Sequence, residues 1–244
     1  VYRMLIIILA NIVVGGLVGL TGVAGFLLPM LYVTLGYSVT EALALSFFAF
    51  LISGIIGSIN YYGHGQLNLS FGVKLGLSSF IGACIGVYSS TMIDENIIKI
   101  LLYMVVLLSG ISILLRKDRE RTEEKVPKFW QIFLMGVVTA IICALSGAGG
   151  PILVMPLLVV LGVNIKIAIA LALFDSIFIA IPSVIGYLGA SYSNSLLGVL
   201  CISGISHGVG VFLGSKYSVK ANQFIIKRSV AIISILVALY KLFG

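Results

Sequence analysis

Charge is what this sequence lacks most. Only 9% of its 244 residues are Asp, Glu, Lys or Arg, where a soluble domain carries about 25%. With 60% hydrophobic residues and a mean hydropathy of +1.22, no polar face is left to cover a single soluble core. Catalytic vocabulary is equally scarce. The chain contains no HExxH, no GxSxG elbow, no GxxxxGK[ST] and no pair of acids inside an apolar run. Metalloprotease, serine-hydrolase and ATP-driven readings therefore fall away, and neither an enzyme nor a cofactor is expected. Cys84, Cys143 and Cys201 lie in apolar segments without CxxC spacing, so neither a disulfide framework nor a zinc site is indicated. His64 and His207 lack metal-ligand spacing as well, and no metal is expected. The net charge of +7 would point to nucleic acid in a soluble protein. Here it fits basic residues flanking membrane spans beside anionic headgroups, so lipid is the expected contact and nucleic acid is not.

What is abundant is long apolar sequence. A spanning helix needs about 20 mostly apolar residues, and such runs cover residues 42–62, 75–93, 97–115, 167–188, 195–214 and 223–243. Two further runs, 4–40 and 129–165, are each 37 residues without a charge. The first leads into patterned sequence that recurs later, which does not fit a cleaved signal peptide. The fold class expected is an all-α polytopic membrane protein with about eight transmembrane segments. The one strongly polar stretch, "RKDRERTEEKVPK" at 116–128, divides the chain into a first transmembrane repeat (1–115), a charged linker and a second repeat (129–244).

The halves also correspond in register. Gly36 matches Gly162, Ala42 matches Ala168 and Ala44 matches Ala170 at an offset of 126. Gly82-x-x-x-Gly86 matches Gly210-x-x-x-Gly214, and Lys99 matches Lys227, at an offset of 128. A slowly drifting offset is what tandem duplication leaves, and internal repeats are a transporter signature. The small-xxx-small pairs allow close helix packing. Glu41 and Lys166 open the second segment of each half and mark interfaces. If every segment were a simple crossing, the face holding Arg3, Lys74, the linker and Lys241 would carry nine basic residues against six, placing the linker in the cytoplasm by a small margin.

Each 37-residue run is too long for one span and too short for two, and each contains a helix breaker. The first reads "LTGVAGFLLP" (20–29) and the second "LSGAGGPILVMP" (145–156). Glycine costs about 1 kcal/mol in a helix interior. Pro151 suits the first turn of a new helix, whereas Pro29 and Pro156 should kink the helices they lie in. Irregular backbone at membrane depth survives only against protein or a polar cavity. In transporters, the N–H groups freed at a half-helix N-terminus form an anion site. Each repeat is thus expected to open with a glycine-broken helix, either discontinuous or re-entrant. The competing reading is close helix packing through glycine.

Paired glycine-rich breaks followed by proline, in two four-segment repeats joined by a polar linker, resemble the sulfite exporter TauE/SafE family, also called the 4-toluene sulfonate uptake permeases. The first motif departs from that family's glycine run at Val23 and Ala24. The resemblance implies secondary transport of small sulfur oxyanions or organosulfonates, such as sulfite and sulfoacetate, across the cell membrane. It places the substrate against the broken segments: Gly22, Ala24, Gly25 and Phe26 in the first, and Gly147, Gly149, Gly150 and Ile152 in the second.

Isolated polar residues complete the candidates. Asp175 is the one acid in the middle of an apolar segment. It is a coupling or gating candidate, set back from an anion or protonated, with a structural hydrogen bond as the alternative. His207, just ahead of the Gly210 pair, is a candidate for substrate contact or for carrying a proton, or is a satisfied buried histidine. Ser46, Ser53, Asn60 and Ser176, with Asn11, offer neutral donors to a cavity or hydrogen bonds between helices. Lys74 is an anion attractor or a snorkelling interfacial residue. The function expected is alternating-access transport of a small anion, with proton coupling through Asp175 or His207. The alternative is a non-transporting membrane scaffold or assembly factor. Glycine-rich, charge-poor helices are also compatible with a homodimer.

Overall fold

The computed structural model describes residues 2–22, 24–115, 128–217 and scattered positions between 228 and 243. The described residues form helices and no strand. They are α1 (Tyr2–Thr21), α2 (Leu27–Thr34), α3 (Val39–Gly63), α4 (Leu69–Ser90), α5 (Glu95–Leu115), α6 (Phe129–Ser146), α7 (Gly150–Val160), α8 (Ile165–Ser191) and α9 (Asn194–Tyr217), with a short 3-10 turn at Ala24–Phe26 ahead of α2. Seven of these helices are long and apolar enough to cross a membrane, and the stretches Ala24–Thr34 and Gly150–Val160 are short apolar helices. Most of the linker at 116–128 and much of the apolar run at 223–243 lie outside the described residues.

Polar caps start the helices where the sequence changes character. The Ser38 hydroxyl accepts from the Glu41 N–H at 3.2 Å, while the Glu41 carboxylate accepts from the Ser38 N–H at 2.9 Å. This reciprocal box satisfies two N–H groups that α3 itself cannot. Asn68 and Asn164 do half of that work for α4 and α8, accepting from the Phe71 and Lys166 N–H groups.

A few contacts fix the direction of the chain. The Arg3 guanidinium stacks over the Tyr37 ring at 4.1 Å. The start of α1 and the end of α2 therefore lie at the same face of the protein, and α2 runs back alongside α1. The Asn11 amide donating to the Tyr32 hydroxyl at 2.8 Å ties the two together midway. The Val39 N–H donates to the Glu95 carboxylate at 2.9 Å, so α3 and α5 also start at this first face. At the opposite, second face, the Asn60 amide donates to the Ser215 hydroxyl at 2.7 Å, joining the ends of α3 and α9. Tyr187 near the end of α8 donates to the Ala144 carbonyl near the end of α6 at 2.8 Å. Helices α4, α6 and α8 thus rise from the second face toward the first, and α7 returns to the second.

The helices sort into two bundles. In one, α1 packs on α9, and α3 packs on α9 and α2; in the other, α6 packs on α4, and α8 packs on α4 and α7. The two meet along α3 and α8, the most buried of the long helices. Glycine brings the backbones together inside each bundle. A Cβ at Gly19 would lie 2.7 Å from the Ser215 backbone nitrogen, and one at Gly210 2.8 Å from that of Gly16. In the other bundle, a Cβ at Gly86 would lie 2.9 Å from the Ile141 carbonyl oxygen. Real Cβ atoms do not approach that closely, so these positions admit only glycine without helix separation.

Candidate functional site

Both glycine breaks lie where an α-helix stops. The second break begins after Ser146: Gly147 is left-handed at φ +67° and donates to the Cys143 carbonyl at 2.8 Å, closing α6. Gly149, at φ +74°, caps the start of α7, with Pro151 in the first turn. Both angles are costly for residues with a Cβ, which is why glycine stands there. The first break follows the same course: Gly22, at φ +73°, donates to the Val18 carbonyl at 2.7 Å and ends α1. Pro29 falls in the first turn of α2, where a missing N–H costs no helix bond. Pro156 lies inside α7, and Pro182 lies inside α8.

The two breaks come together at the interface of the bundles. One small cavity is lined by Val18, Gly22, Gly25, Phe50 and Ser53 from the first bundle. Ala148, Gly149, Pro151, Ile152 and Ser176 line it from the second. About 10 Å³ is free for the centre of a water-sized sphere, room for about one water molecule. Among the described residues no charged side chain lines it. The Ser53 and Ser176 hydroxyls donate to the Phe50 and Leu173 carbonyls at 3.1 and 2.6 Å. Among the described residues the Gly149 N–H has no acceptor in the loop, and the first turn of α7 frees further N–H groups as any helix start does.

Of the residues singled out from sequence, Gly22, Gly25, Ser53, Gly149, Pro151, Ile152 and Ser176 share this cavity. Others lie beside it: Ala24 and Phe26 are fully buried in the core, and the Ser46 hydroxyl donates to the Ala42 carbonyl. Gly147 packs on Leu43 and Pro29, and Gly150 packs against α8 at Ser176 and Ile179. Asn60 is engaged with Ser215 at the second face.

Asp175 and His207 stand apart from the cavity, one in each bundle. Asp175 on α8 is fully buried beside Ser79 of α4 and Cys143 of α6, and its carboxyl oxygens have no hydrogen-bond partner among the described residues. His207 on α9 is equally buried, and among the described residues its ring nitrogens make no hydrogen bond of good geometry. It lies near Asn11, which with Tyr32 and Ser203 forms a polar cluster joining α1, α2 and α9. Among the described residues no group of acids, histidines and cysteines is arranged to hold a metal.

Sequence reading passed over Val18, Phe50 and Ala148, which also line the cavity. The signal for Phe50 was present: the offset of 126 that aligns Ala42 with Ala168 aligns Phe50 with Ser176.

Seven helices long and apolar enough to cross a membrane make this an integral, multi-pass membrane protein. The family model for Sulfite exporter TauE/SafE matches residues 4–241, and the chain belongs to that family. It is similar to "Probable membrane transporter protein YdhB" of Bacillus subtilis (strain 168), 21% identical over 98% of this chain and 100% of that protein. A protein of Methanocaldococcus jannaschii, also described as a "Probable membrane transporter protein", is 24% identical over 91% of this chain and 89% of its own length. Another under that description, from Haemophilus influenzae, is 26% identical over 79% of this chain and 76% of its own. No solved structure matches the chain.

Proposed function

We propose that this protein is a secondary transporter of small sulfur-containing anions, sulfite, sulfoacetate or other organosulfonates, working by alternating access. The observation that carries the reading is the meeting of two half-helix starts, at Gly25 and Gly149, on one cavity. A helix N-terminus carries roughly +0.5 of a charge on its free N–H groups, so two of them supply about one positive charge in a site that no cationic side chain lines among the described residues. That offsets one negative charge, the sulfonate or sulfite headgroup of the substrate. Because the lining hydroxyls already donate to carbonyls, backbone N–H groups are the donors.

The cavity admits about one water, so in this conformation it is too small for the substrate, and the bundles must part along α3 and α8 to load it. The repeats do not supply those moving bodies intact. Helix α9 belongs to the second repeat but is welded to α1, and α4 of the first is welded to α6. The moving bodies are α1, α2, α3 and α9 on one side and α4, α6, α7 and α8 on the other. Asp175 and His207, away from the cavity and one in each body, take the coupling or gating role.

The packing supports a duplicated unit with inverted topology. Exchanging α1 with α6, α2 with α7, α3 with α8 and α4 with α9 turns each principal packed pair into another such pair. The first face carries Arg3 and Lys99, whereas Lys74, Lys128, Lys166, Lys216 and Arg228 belong to the second. Among the described residues the second face thus carries five of the seven Lys and Arg residues. The return of α2 sets the described basic excess on the second face, which on this reading is the cytoplasmic one.

Flux measured in proteoliposomes with labelled sulfite and sulfoacetate tests the reading. Saturable movement of at least one is expected. Failure of the whole anion panel to move, or to shift the melting of the purified protein, refutes it.

A further inference from the structure

Phe50 occupies a place in the cavity that no packing requirement of α3 alone explains. It stands midway along α3 and is 4% exposed. Its ring is wedged between the two breaks by opposite edges. A Cβ at Gly25 would meet Cε1 at 2.7 Å and Cδ1 at 3.3 Å, while one at Gly149 would meet Cε2 at 3.4 Å and Cδ2 at 3.6 Å. The ring therefore spans the gap between the starts of the two short helices, and glycine at both positions leaves room for it. Further rings hold it from behind. Phe47 packs edge-on against Phe50 at 5.7 Å and stacks on Tyr187 at 6.0 Å, and the Tyr187 hydroxyl is anchored on the Ala144 carbonyl.

The residue matching Phe50 in the second half is Ser176, which lines the same cavity from α8. One side of the site is thus filled by a phenyl ring, and the other carries the much smaller hydroxyl side chain of Ser176. The remaining space holds about one water, far less than any sulfur oxyanion needs.

We propose that Phe50 is the specificity-determining residue of this site, the side chain that sets how large an anion fits between the two breaks. This rests on the reading of the cavity as the substrate site. The headgroup of the anion takes the N–H groups of the breaks, and whatever it carries beyond the headgroup has to share space with the Phe50 ring. A bulky ring then selects bare oxyanions and short sulfonates over long or aromatic ones. Discrimination at an apolar wall is worth about 10–200-fold per methylene-sized difference.

The test is a competition series in proteoliposomes, with labelled sulfite displaced by methane-, ethane-, butane- and benzenesulfonate. Wild type should lose affinity as the chain lengthens. In Phe50→Ala, butane- and benzenesulfonate should gain about tenfold or more while methanesulfonate changes little. Phe50→Ser, which copies the residue of the other half, should behave likewise. Phe50→Leu keeps the core apolar and gives the same reading if the smaller variants do not fold; an intermediate gain is expected. An unchanged rank order and unchanged ratios in a folded variant overturn the proposal while leaving the transport reading intact. Absence of any anion binding in wild type overturns the transport reading itself.

Discussion

Gly16 and Gly19 lie three residues apart on α1, and the structure gives them opposite fates on substitution by alanine. A Cβ at Gly16 would meet nothing nearer than the Gly210 carbonyl oxygen at 3.8 Å, an ordinary contact. A Cβ at Gly19 would lie 2.7 Å from the Ser215 backbone nitrogen and 3.1 Å from the Gly214 carbonyl carbon. These are backbone atoms and cannot turn aside, so α1 and α9 must separate. Alanine is favoured over glycine in a helix by about 1 kcal/mol, and Gly16→Ala should hold or raise stability by up to that amount. Gly19→Ala carries the same propensity gain against an overpacking cost of about 1–3 kcal/mol, with lost contacts along the separated helices added to it. The net effect is destabilising by about 1–2 kcal/mol. Thermal unfolding of the purified, detergent-solubilised protein reads the difference, at about 2–4 °C per kcal/mol for a chain of this size. Equal shifts, or a Gly19→Ala protein more stable than Gly16→Ala, would refute the close approach of α1 and α9 and the bundle built on it.

The bundles make a prediction for cross-linking in a background with Cys84, Cys143 and Cys201 replaced by serine. A disulfide joining Asn60→Cys to Ser215→Cys links the two repeats inside one bundle and should leave flux within about twofold, since the bodies it joins move together. One joining Gly57→Cys to Leu173→Cys bridges α3 and α8 and should abolish flux until reduced; loss of flux in the first pair would show that whole repeats move instead. Gly149→Ala forces a side chain into φ +74° against the Phe50 ring, a strain of about 1–3 kcal/mol. It should lower anion binding in a thermal-shift titration more than it lowers melting of the empty protein, and the reverse ranking would make this glycine purely structural. Tyr32→Phe removes the hydroxyl that accepts from Asn11, leaving a buried amide hydrogen short of a partner at about 1–3 kcal/mol, and an unchanged melting temperature would remove that bond from the account.

The membrane character, the helical class and the family were all legible in the sequence, because each rests on composition or on motifs that survive divergence. The gap between α6 and α7 coincides with "SGAGGP", since glycine with positive φ and proline at a helix start are local requirements. Path was harder to read. Whether the chain passes on or turns back after Gly22 depends on where Tyr37 meets Arg3, thirty-four residues apart, and no local pattern encodes that contact. The cavity was legible where backbone conformation dictated residue type, at Gly22 and Gly149, and where the glycine motif continued to Gly25, which the Phe50 ring leaves no room to replace. It was not legible at Val18 or Ala148, which look like any core residue until packing brings them together, and Phe50 was marked only by its offset to Ser176. Asp175 and His207 stood out for polarity alone, which says that a residue is unusual but gives no direction in which it points.

The return of α2 has a consequence for electrostatics on the proposed topology. A unit whose first two helices come back to their starting face, followed by three crossings, ends on the face opposite to its origin, so a second copy begins inverted. In a parallel arrangement the two short helices would enter from one face, side by side. Inverted, they enter from opposite faces and bring their N-terminal ends to the same level, where Phe50 touches both breaks. Two positive ends facing each other in a low-dielectric interior repel, and an anion between them removes that repulsion while satisfying both sets of N–H groups. On the proposed function the pair of breaks would be a site that is electrostatically incomplete when empty, which is the property a carrier needs if substrate is to drive its closure. A scaffold would gain nothing from it.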